Sequence, residues 1–160
     1  MGQKINMNRK FFVAFTQANG RHNCSIEIEA AFLAKRDLER LLMRASRVYA
    51  KHINSLISAI EAITEIRLRR KVIPLKRVWK IGDIIFNLVK ELGDLDLELD
   101  DLYYHLVRDL NVKRKWLEKV IILRRYIDND NVMPDSLSWG QFEKGTKRKA
   151  QQIKKGLLIK

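Results

Sequence analysis

The chain has 160 residues, 46% hydrophobic and 32% charged, so it has the apolar material for one hydrophobic core but not the length for two full-sized domains. Its 32 Lys and Arg residues outnumber 19 Asp and Glu residues, and the resulting net charge of +13 favours an anionic partner such as nucleic acid. The composition excludes a globally disordered chain, and the single cysteine, Cys24, excludes an internal disulfide framework.

The sequence predicts a cytoplasmic protein that does not associate with membranes. The apolar stretch within residues 1–15 is too short and too interrupted for a secretory signal. No segment reaches the apolar length that is needed to cross a bilayer. One unpaired cysteine also fits a reducing compartment.

Two segments near the N-terminus have strand character. Lys10–Thr16 reads KFFVAFT, and Cys24–Glu29 alternates apolar and polar side chains. The dipeptide Asn19-Gly20 between them is typical of tight hairpin turns. These features predict a β-hairpin, and the alternative is an irregular arm that leads into a helix beginning near Ser25.

Residues 31–71 contain neither Gly nor Pro, and their apolar side chains recur at alternating steps of three and four. This pattern predicts one long helix or a helical hairpin. The apolar stripe, which is also our candidate seam for a homodimer, consists of Leu38, Leu42, Ala45, Tyr49, Ile53, Leu56, Ile60 and Ile63. The cations on the other side, interpreted either as a solvated face or as a functional surface, are Arg36, Arg40, Arg44, Arg47 and Lys51.

A second helix is predicted to begin at Pro74 and to end at Gly93, since these residues suit a first turn and a C-terminal cap. Gly82 inside this helix indicates the close approach of another helix. The predicted inner face consists of Val78, Ile81, Ile85, Leu88, Val89 and Leu92. The acidic run Asp94–Asp101 is predicted to be a loop that leads into a helix ending near Leu110.

Residues 102–127 have the spacing of a helix-turn-helix motif. Asn111 occupies the turn position that often requires a positive φ, and Asn tolerates this conformation better than other non-glycine residues. Val107 stands where a small residue is usual. The apolar residues that would fix the angle between the two helices are Leu106, Leu110, Val112, Leu117 and Val120. The alternative is an ordinary helix pair in a bundle with a charged surface.

The second helix of this pair, from about Lys113 to Ile127, separates apolar from basic side chains as a recognition helix would. Arg124 falls on its apolar side and is expected to snorkel or to pair internally. A last helix is predicted to begin near Ser136 or Ser138 and to fade into a basic tail at 143–160, which would engage phosphates with little sequence preference. The predicted nucleic-acid contacts are Lys113, Arg114, Lys115, Lys119, Arg125, Lys144, Lys147, Arg148 and Lys149.

The order of motifs between Trp79 and Glu143 resembles the N-terminal domain of YhcG-type proteins, in which a helical DNA-binding region precedes a PD-(D/E)xK nuclease domain. The shared features are a W-x-I-G helix at 79–82, a helix-turn-helix-like pair, a helix end at Tyr126 and an L-S-W element at 137–139. This sequence has L-N-V at 110–112 where the family has a glycine and a phenylalanine. The resemblance implies association with DNA, without the family's nuclease domain.

We expect no enzymatic activity, no metal and no cofactor. His22, His52 and His105 are far apart in the sequence, and His52 falls on the long helix as a packed core or boundary residue. The acidic run lacks the turn glycine and the closing glutamate of a calcium loop. Phosphate-binding loops of the GxxxxGK[ST] and GxGxxG types do not occur.

The sequence therefore predicts a mainly α-helical bundle with a helix-turn-helix-like pair and a possible N-terminal β-hairpin. Residues 1–30 form the arm or hairpin, 31–142 the helical domain and 143–160 the basic tail. The expected partner is duplex DNA, bound by a regulator that reads a site or by an architectural, nucleoid-type protein. The alternative is a structural protein that coats nucleic acid, or that binds RNA or an acidic protein.

Overall fold

The computed structural model describes residues 11–18, 21–26, 35–133 and 135–154, and the fold of this part of the chain is mainly α-helical. Its strands are β1 Phe11–Ala18, β2 Arg21–Ile26 and β3 Leu97–Leu99. Its α-helices are α1 Lys35–Leu68, α2 Leu75–Asp94, α3 Leu102–Leu110, α4 Arg114–Tyr126, α5 Trp139–Glu143 and α6 Thr146–Lys154. A 3-10 turn at Asp130–Val132 connects α4 to the C-terminal helices.

The predicted β-hairpin is present. Strands β1 and β2 pair antiparallel, from Val13 opposite Ile26 to Ala18 opposite Arg21. Val13 and Phe15 are fully buried, whereas the alternate residue Phe12 is exposed, as the period of two in a half-buried strand requires. The turn residues Asn19 and Gly20, and the ends of the two segments at Lys10 and 27–29, lie outside the described residues.

The acidic run contains a strand, which corrects the prediction of loop and helix. β3 lies parallel to β1, with Phe11 opposite Leu97 and Val13 opposite Leu99, so that the sheet order is β2-β1-β3. Leu97 and Leu99 are buried, and Glu98 between them is exposed. The acidic side chains had masked an alternation of apolar and polar residues that is typical of a strand at the edge of a sheet.

Helix α1 is one continuous helix of 34 residues and not a helical hairpin. The predicted apolar stripe faces the interior, where Ala45, Tyr49, Ile53, Leu56 and Ile63 are buried and the other three residues are half-buried. These five side chains belong to the core of a single chain and do not form an exposed seam. The location predicted for a dimer interface is therefore corrected, while dimerisation itself stays a prediction.

Helix α2 begins at Leu75, with Pro74 as the N-cap residue and not in the first turn, and it continues past Gly93 to Asp94. The positive φ that follows the helix is that of Asp96, at 60°, so Gly93 does not act as the C-terminal cap. Val89, which we predicted on the inner face, is 43% exposed. Leu88 and Leu92 occupy the buried side, and Val89 is rotated by about 100° from Leu88 around the helix.

Helices α2 and α4 approach each other closely at Gly82, as predicted. A Cβ atom at this position would lie 2.7 Å from the Cβ atom of Arg124 and 3.0 Å from the carbonyl oxygen of Val120. Since the second atom belongs to the backbone, α4 could not accommodate a larger residue without moving. Hydrogen bonding adds to this contact, because the indole N–H of Trp79 donates to the carbonyl oxygen of Ile127 at 2.7 Å.

The C-terminal region forms two helices instead of one. Ser138 caps α5 in a capping box, in which its hydroxyl accepts from the Gln141 N–H and the Gln141 side chain accepts from the Ser138 N–H. Helix α6 then packs against α4, with Ala150 and Ile153 buried in the core. Residues 146–154 are therefore part of the packed fold and not of a tail, while 155–160 lie outside the described residues.

Candidate nucleic-acid interface

Helices α3 and α4 form the helix-turn-helix-like pair. Asn111 ends α3 in the left-handed conformation, with φ 52° and ψ 51°, and α4 begins three residues later. The predicted positive φ at Asn111 is therefore confirmed. The apolar residues that join the two helices are buried or half-buried: Leu106, Leu110, Val112, Leu117 and Val120.

Helix α4 separates its side chains into two faces, as the sequence predicted. Leu117, Val120 and Leu123 are fully buried between α4 and its neighbours, α2 and α6. The cations of the outward side, which we call the α4 basic face, are Lys113, Arg114, Lys115, Lys119 and Arg125. All of them are exposed except Lys119, which is half-buried.

Two cations of the α4 basic face already have partners within the chain. Arg114 Nε donates to Glu118 Oε1 at 3.1 Å, and its guanidinium lies 4.8 Å above the ring centre of Tyr103. Lys119 Nζ lies 3.8 Å from Glu143 Oε1 at the end of α5. Among the described residues, Lys113, Lys115 and Arg125 have no ion-pair partner. Lys113 is the N-cap residue of α4, so Lys115 and Arg125 are the unpaired cations within the helix itself.

Arg124 pairs internally, as predicted, and does not belong to the α4 basic face. Its Nε donates to Asp83 Oδ1 at 2.9 Å, and its guanidinium lies 4.7 Å from the ring centre of Phe86 and 5.2 Å from that of Trp79. The side chain is only 17% exposed. Its role is to join α4 to α2 beside Gly82.

The predicted contacts of the C-terminal segment lie on or before α6. Lys144 and Arg148 are exposed, whereas Lys149 is half-buried and its ammonium donates to the carbonyl oxygen of Gln141. The side chain of Lys147 lies outside the described residues. Because α6 packs on α4, these cations are carried by the neighbour of the α4 basic face and are not spread along an extended chain.

A cleft of about 730 Å³ lies at the start of α4, between the C-terminal end of α1, the α3–α4 turn and α5. Its lining includes three cations from separate parts of the chain, which are Arg67, Lys71 and Lys113. Only Lys113 was a predicted contact. Arg67 lies in the last turn of α1 and Lys71 shortly after its end, and no local pattern in the sequence indicated that this helix ends beside α4.

A buried polar network around Asp109 connects α3 to α1 and β1, and no sequence motif indicated it. The Tyr49 hydroxyl donates to Asp109 Oδ2, and Arg108 Nε donates to Asp109 Oδ1 at 2.7 Å. The Arg108 guanidinium also donates to the carbonyl oxygen of Phe15 at 2.7 Å. Burial and the hydrogen bond to Asp109 raise the pKa of Tyr49, and the hydrogen bond to Asp109 raises the pKa of Arg108. The sequence feature that could have indicated this network is Tyr49, whose polar hydroxyl lies on the otherwise apolar stripe of α1.

The two histidines in the helices are structural. His105 is buried, where its Nε2 accepts the Phe15 N–H at 2.9 Å and its Nδ1 lies 2.9 Å from the carbonyl oxygen of Asp101. His52 is buried too, with its Nδ1 2.8 Å from the carbonyl oxygen of Val48, as a packed residue should be. In the part of the chain that the structure describes, no three His, Cys, Asp or Glu side chains are grouped as metal ligands would be.

No family model, curated protein or solved structure matches this chain. The resemblance to YhcG-type proteins therefore stays a prediction that rests on its short motifs. Of the helices in the described ranges, none combines the length and the apolar character that crossing a membrane requires.

Proposed function

We propose that this protein binds duplex DNA through the α4 basic face and the adjoining cations of α6. The observation that carries the proposal is the packing of α6 on α4, which joins two basic segments that are separate in the sequence. Lys115 and Arg125 project from this surface without an ion-pair partner among the described residues. Unpaired cations on one side of a helix are what a phosphate backbone requires, since each contact releases a condensed counterion.

The shape of the helix pair supports the same proposal. The buried side of α4 is fixed against α2 and α6, through the close contact at Gly82 and the ion pair between Arg124 of α4 and Asp83 of α2. A recognition helix needs such a rigid support, because base edges are read by side chains held at fixed positions in the major groove. The protein would act either as a regulator that reads a site or as an architectural protein that binds with little sequence preference.

The test is a fluorescence-anisotropy titration of a labelled random-sequence duplex at several salt concentrations. The variant is Lys115→Gln with Arg125→Gln, which removes the two unpaired cations of the α4 basic face that lie within the helix. The matched control is Arg77→Gln with Lys80→Gln, which removes the same charge from exposed positions on α2. We expect the wild-type affinity to fall steeply with salt, and the first variant to bind more weakly, with a salt slope lower by about two.

Equal losses in both variants would show that net charge alone governs binding and would remove α4 from the interface. No binding by the wild-type protein at low salt would contradict the proposed function. A preferred site, found by competition with unlabelled duplexes, would identify a regulator, whereas equal competition by all duplexes would identify an architectural protein.

A further inference from the structure

The N-terminal half of α1 carries a row of four arginines that the α4 basic face does not include. This arginine row consists of Arg36, Arg40, Arg44 and Arg47, at spacings of four, four and three. All four side chains are exposed, and none has an ion-pair partner among the described residues. On an exposed helix, such cations are usually balanced by acids one turn away, and here Asp37 and Glu39 are the two acids among the four arginines. Glu91 and Asp94 of α2 line a shallow cavity beside Arg44 and Arg47, but neither forms an ion pair with them.

The arginine row faces away from the core. Tyr49, Ile53 and Leu56 occupy the buried side of α1, and the helical period of 3.6 residues places the arginines roughly opposite them. The same outward side carries Glu61 and Glu65 further along, and Glu65 pairs with Arg69. An anionic ligand is therefore favoured more on the first half of the outward side than on the second half.

The arginine row also lies far along α1 from the start of α4. The cleft at the start of α4 is lined by Ile60, Ile63 and Arg67 of α1 together with Lys113, the N-cap residue of α4. Ile60 follows Arg47 by thirteen residues, which corresponds to about 20 Å at the helical rise of 1.5 Å per residue. For Arg36 the separation is about 36 Å. The arginine row is therefore separated along α1 from the cleft where α4 begins.

The chemistry of the row fits an extended polyanion better than a small ligand. Arginine binds phosphate through two parallel hydrogen bonds, and its charge does not titrate in the physiological range. The row is about 16 Å long, at an open helix surface where Met43 is also exposed. Duplex DNA presents phosphates continuously over such a length, whereas a single small anion would meet only one or two of the guanidinium groups.

We infer that the arginine row is a second DNA-binding surface, so that one molecule bridges two duplex segments. This inference rests on the proposed function of the α4 basic face, which supplies the first contact. A bridging protein brings distant segments together, and it therefore belongs to the architectural class of DNA-binding proteins.

A duplex-capture assay tests the inference. One duplex is immobilised, the protein is added, and the retention of a second, fluorescent duplex is measured beside the anisotropy titration of a single duplex. The row variant is Arg40→Gln with Arg44→Gln, compared with the wild-type protein, the α4 variant and the α2 control. We expect the row variant to bind a single duplex within about twofold of the wild type but to lose capture by about tenfold.

Four outcomes of these measurements would contradict the inference. Capture by the row variant at the wild-type level would overturn the inference, because a dimer that uses only the α4 basic face would behave in this way. Parallel loss of single-duplex binding and capture would overturn it too, since the row would then belong to the first surface. Single-duplex binding without capture by the wild-type protein would reject bridging and leave the proposed function intact. Absence of all binding would reject both.

Discussion

The carboxylate of Asp109 is fully buried, and its position depends on the residues that donate hydrogen bonds to it. Arg108 provides the opposite charge at 2.7 Å, and Tyr49 provides a hydroxyl from the middle of α1. A buried carboxylate that loses a donor keeps its desolvation penalty, so each donor matters more than its own bond strength. This single acid joins α1, α3 and, through Arg108, the carbonyl group of Phe15 in β1.

Tyr49→Phe removes one donor to Asp109 and keeps the ring that stacks on Phe15 with centroids 4.1 Å apart. We expect the free energy of unfolding to fall by about 1–3 kcal/mol, measured by urea denaturation. Tyr104→Phe is the matched control, because the Tyr104 side chain is 58% exposed and removal of its hydroxyl should have almost no effect. Equal stability of the two variants would mean that the Tyr49 hydroxyl does not support Asp109.

The difference in stability between the wild type and Tyr49→Phe should depend on pH. Burial raises the pKa of Tyr49 in the folded protein, whereas the unfolded chain ionises this phenol at about pH 10. Above that pH the unfolded state loses a proton that the folded state keeps, so stability falls as pH rises. The stability advantage of the wild type over Tyr49→Phe should therefore be complete below about pH 10 and shrink above it.

At the scale of the helices and strands, patterns of medium length predicted the fold well. The period of α1, the strand pattern of the hairpin and the spacing of the helix pair each extend over many residues, and all three were confirmed. Short elements were missed. The three residues of β3 lie within an acidic run, and their strand conformation depends on pairing with β1, which sequence-local reasoning does not contain.

Parts of the candidate interface were predictable because they depend on the periodicity of a single helix. The outward cations of α4 and the inward pairing of Arg124 follow from helical periodicity within one element. The position of α6 did not follow, because Ala150 and Ile153 are too few apolar residues to indicate packing within a segment so rich in lysine. The cleft cations Arg67 and Lys71 required knowledge of where α1 ends in space.

Gly82 sets the distance between α2 and α4, and Gly82→Ala should increase it. A methyl group would meet the Val120 carbonyl oxygen at 3.0 Å and the Arg124 Cβ atom at 2.7 Å. The free-energy cost of this overpacking exceeds the gain from the higher helix propensity of alanine. We therefore expect a net loss of about 1–2 kcal/mol in the free energy of unfolding.

Gly140→Ala is the control for this substitution. Its nearest described neighbour would be the Ser138 hydroxyl, at 4.0 Å, and the position is exposed on α5. We expect unchanged or slightly higher stability there, because alanine is the better helix former. A similar loss at both glycines would indicate a general cost of alanine and not the contact between α2 and α4.

At the scale of the whole molecule, one hydrophobic core extends from Val13 in the hairpin to Ile153 in α6. The core contains residues from every helix and from the strands β1 and β3. A domain with one core of this size unfolds as a single cooperative unit. The C-terminal helix therefore contributes to global stability as well as to charge.

Ile153→Ala tests that contribution, because the side chain is buried in a helix that the sequence had predicted as a tail. We expect a loss of about 2–5 kcal/mol in the free energy of unfolding, with one cooperative transition followed by circular dichroism. Arg148→Gln, at an exposed position of the same helix, should leave stability unchanged while weakening DNA binding. Wild-type stability of Ile153→Ala would contradict the packing of α6.

The parallel pairing of β1 with β3 has a consequence for the order of events during synthesis. The residues that hold β1 from its open side, Leu97–Leu99, His105 and Arg108, are translated some eighty residues after the strand itself. The hairpin of β1 and β2 can form as soon as it leaves the ribosome. The edge of β1 that pairs with β3 has no partner until α3 has emerged. A chaperone that recognises unpaired strands would meet this edge of β1 during that interval.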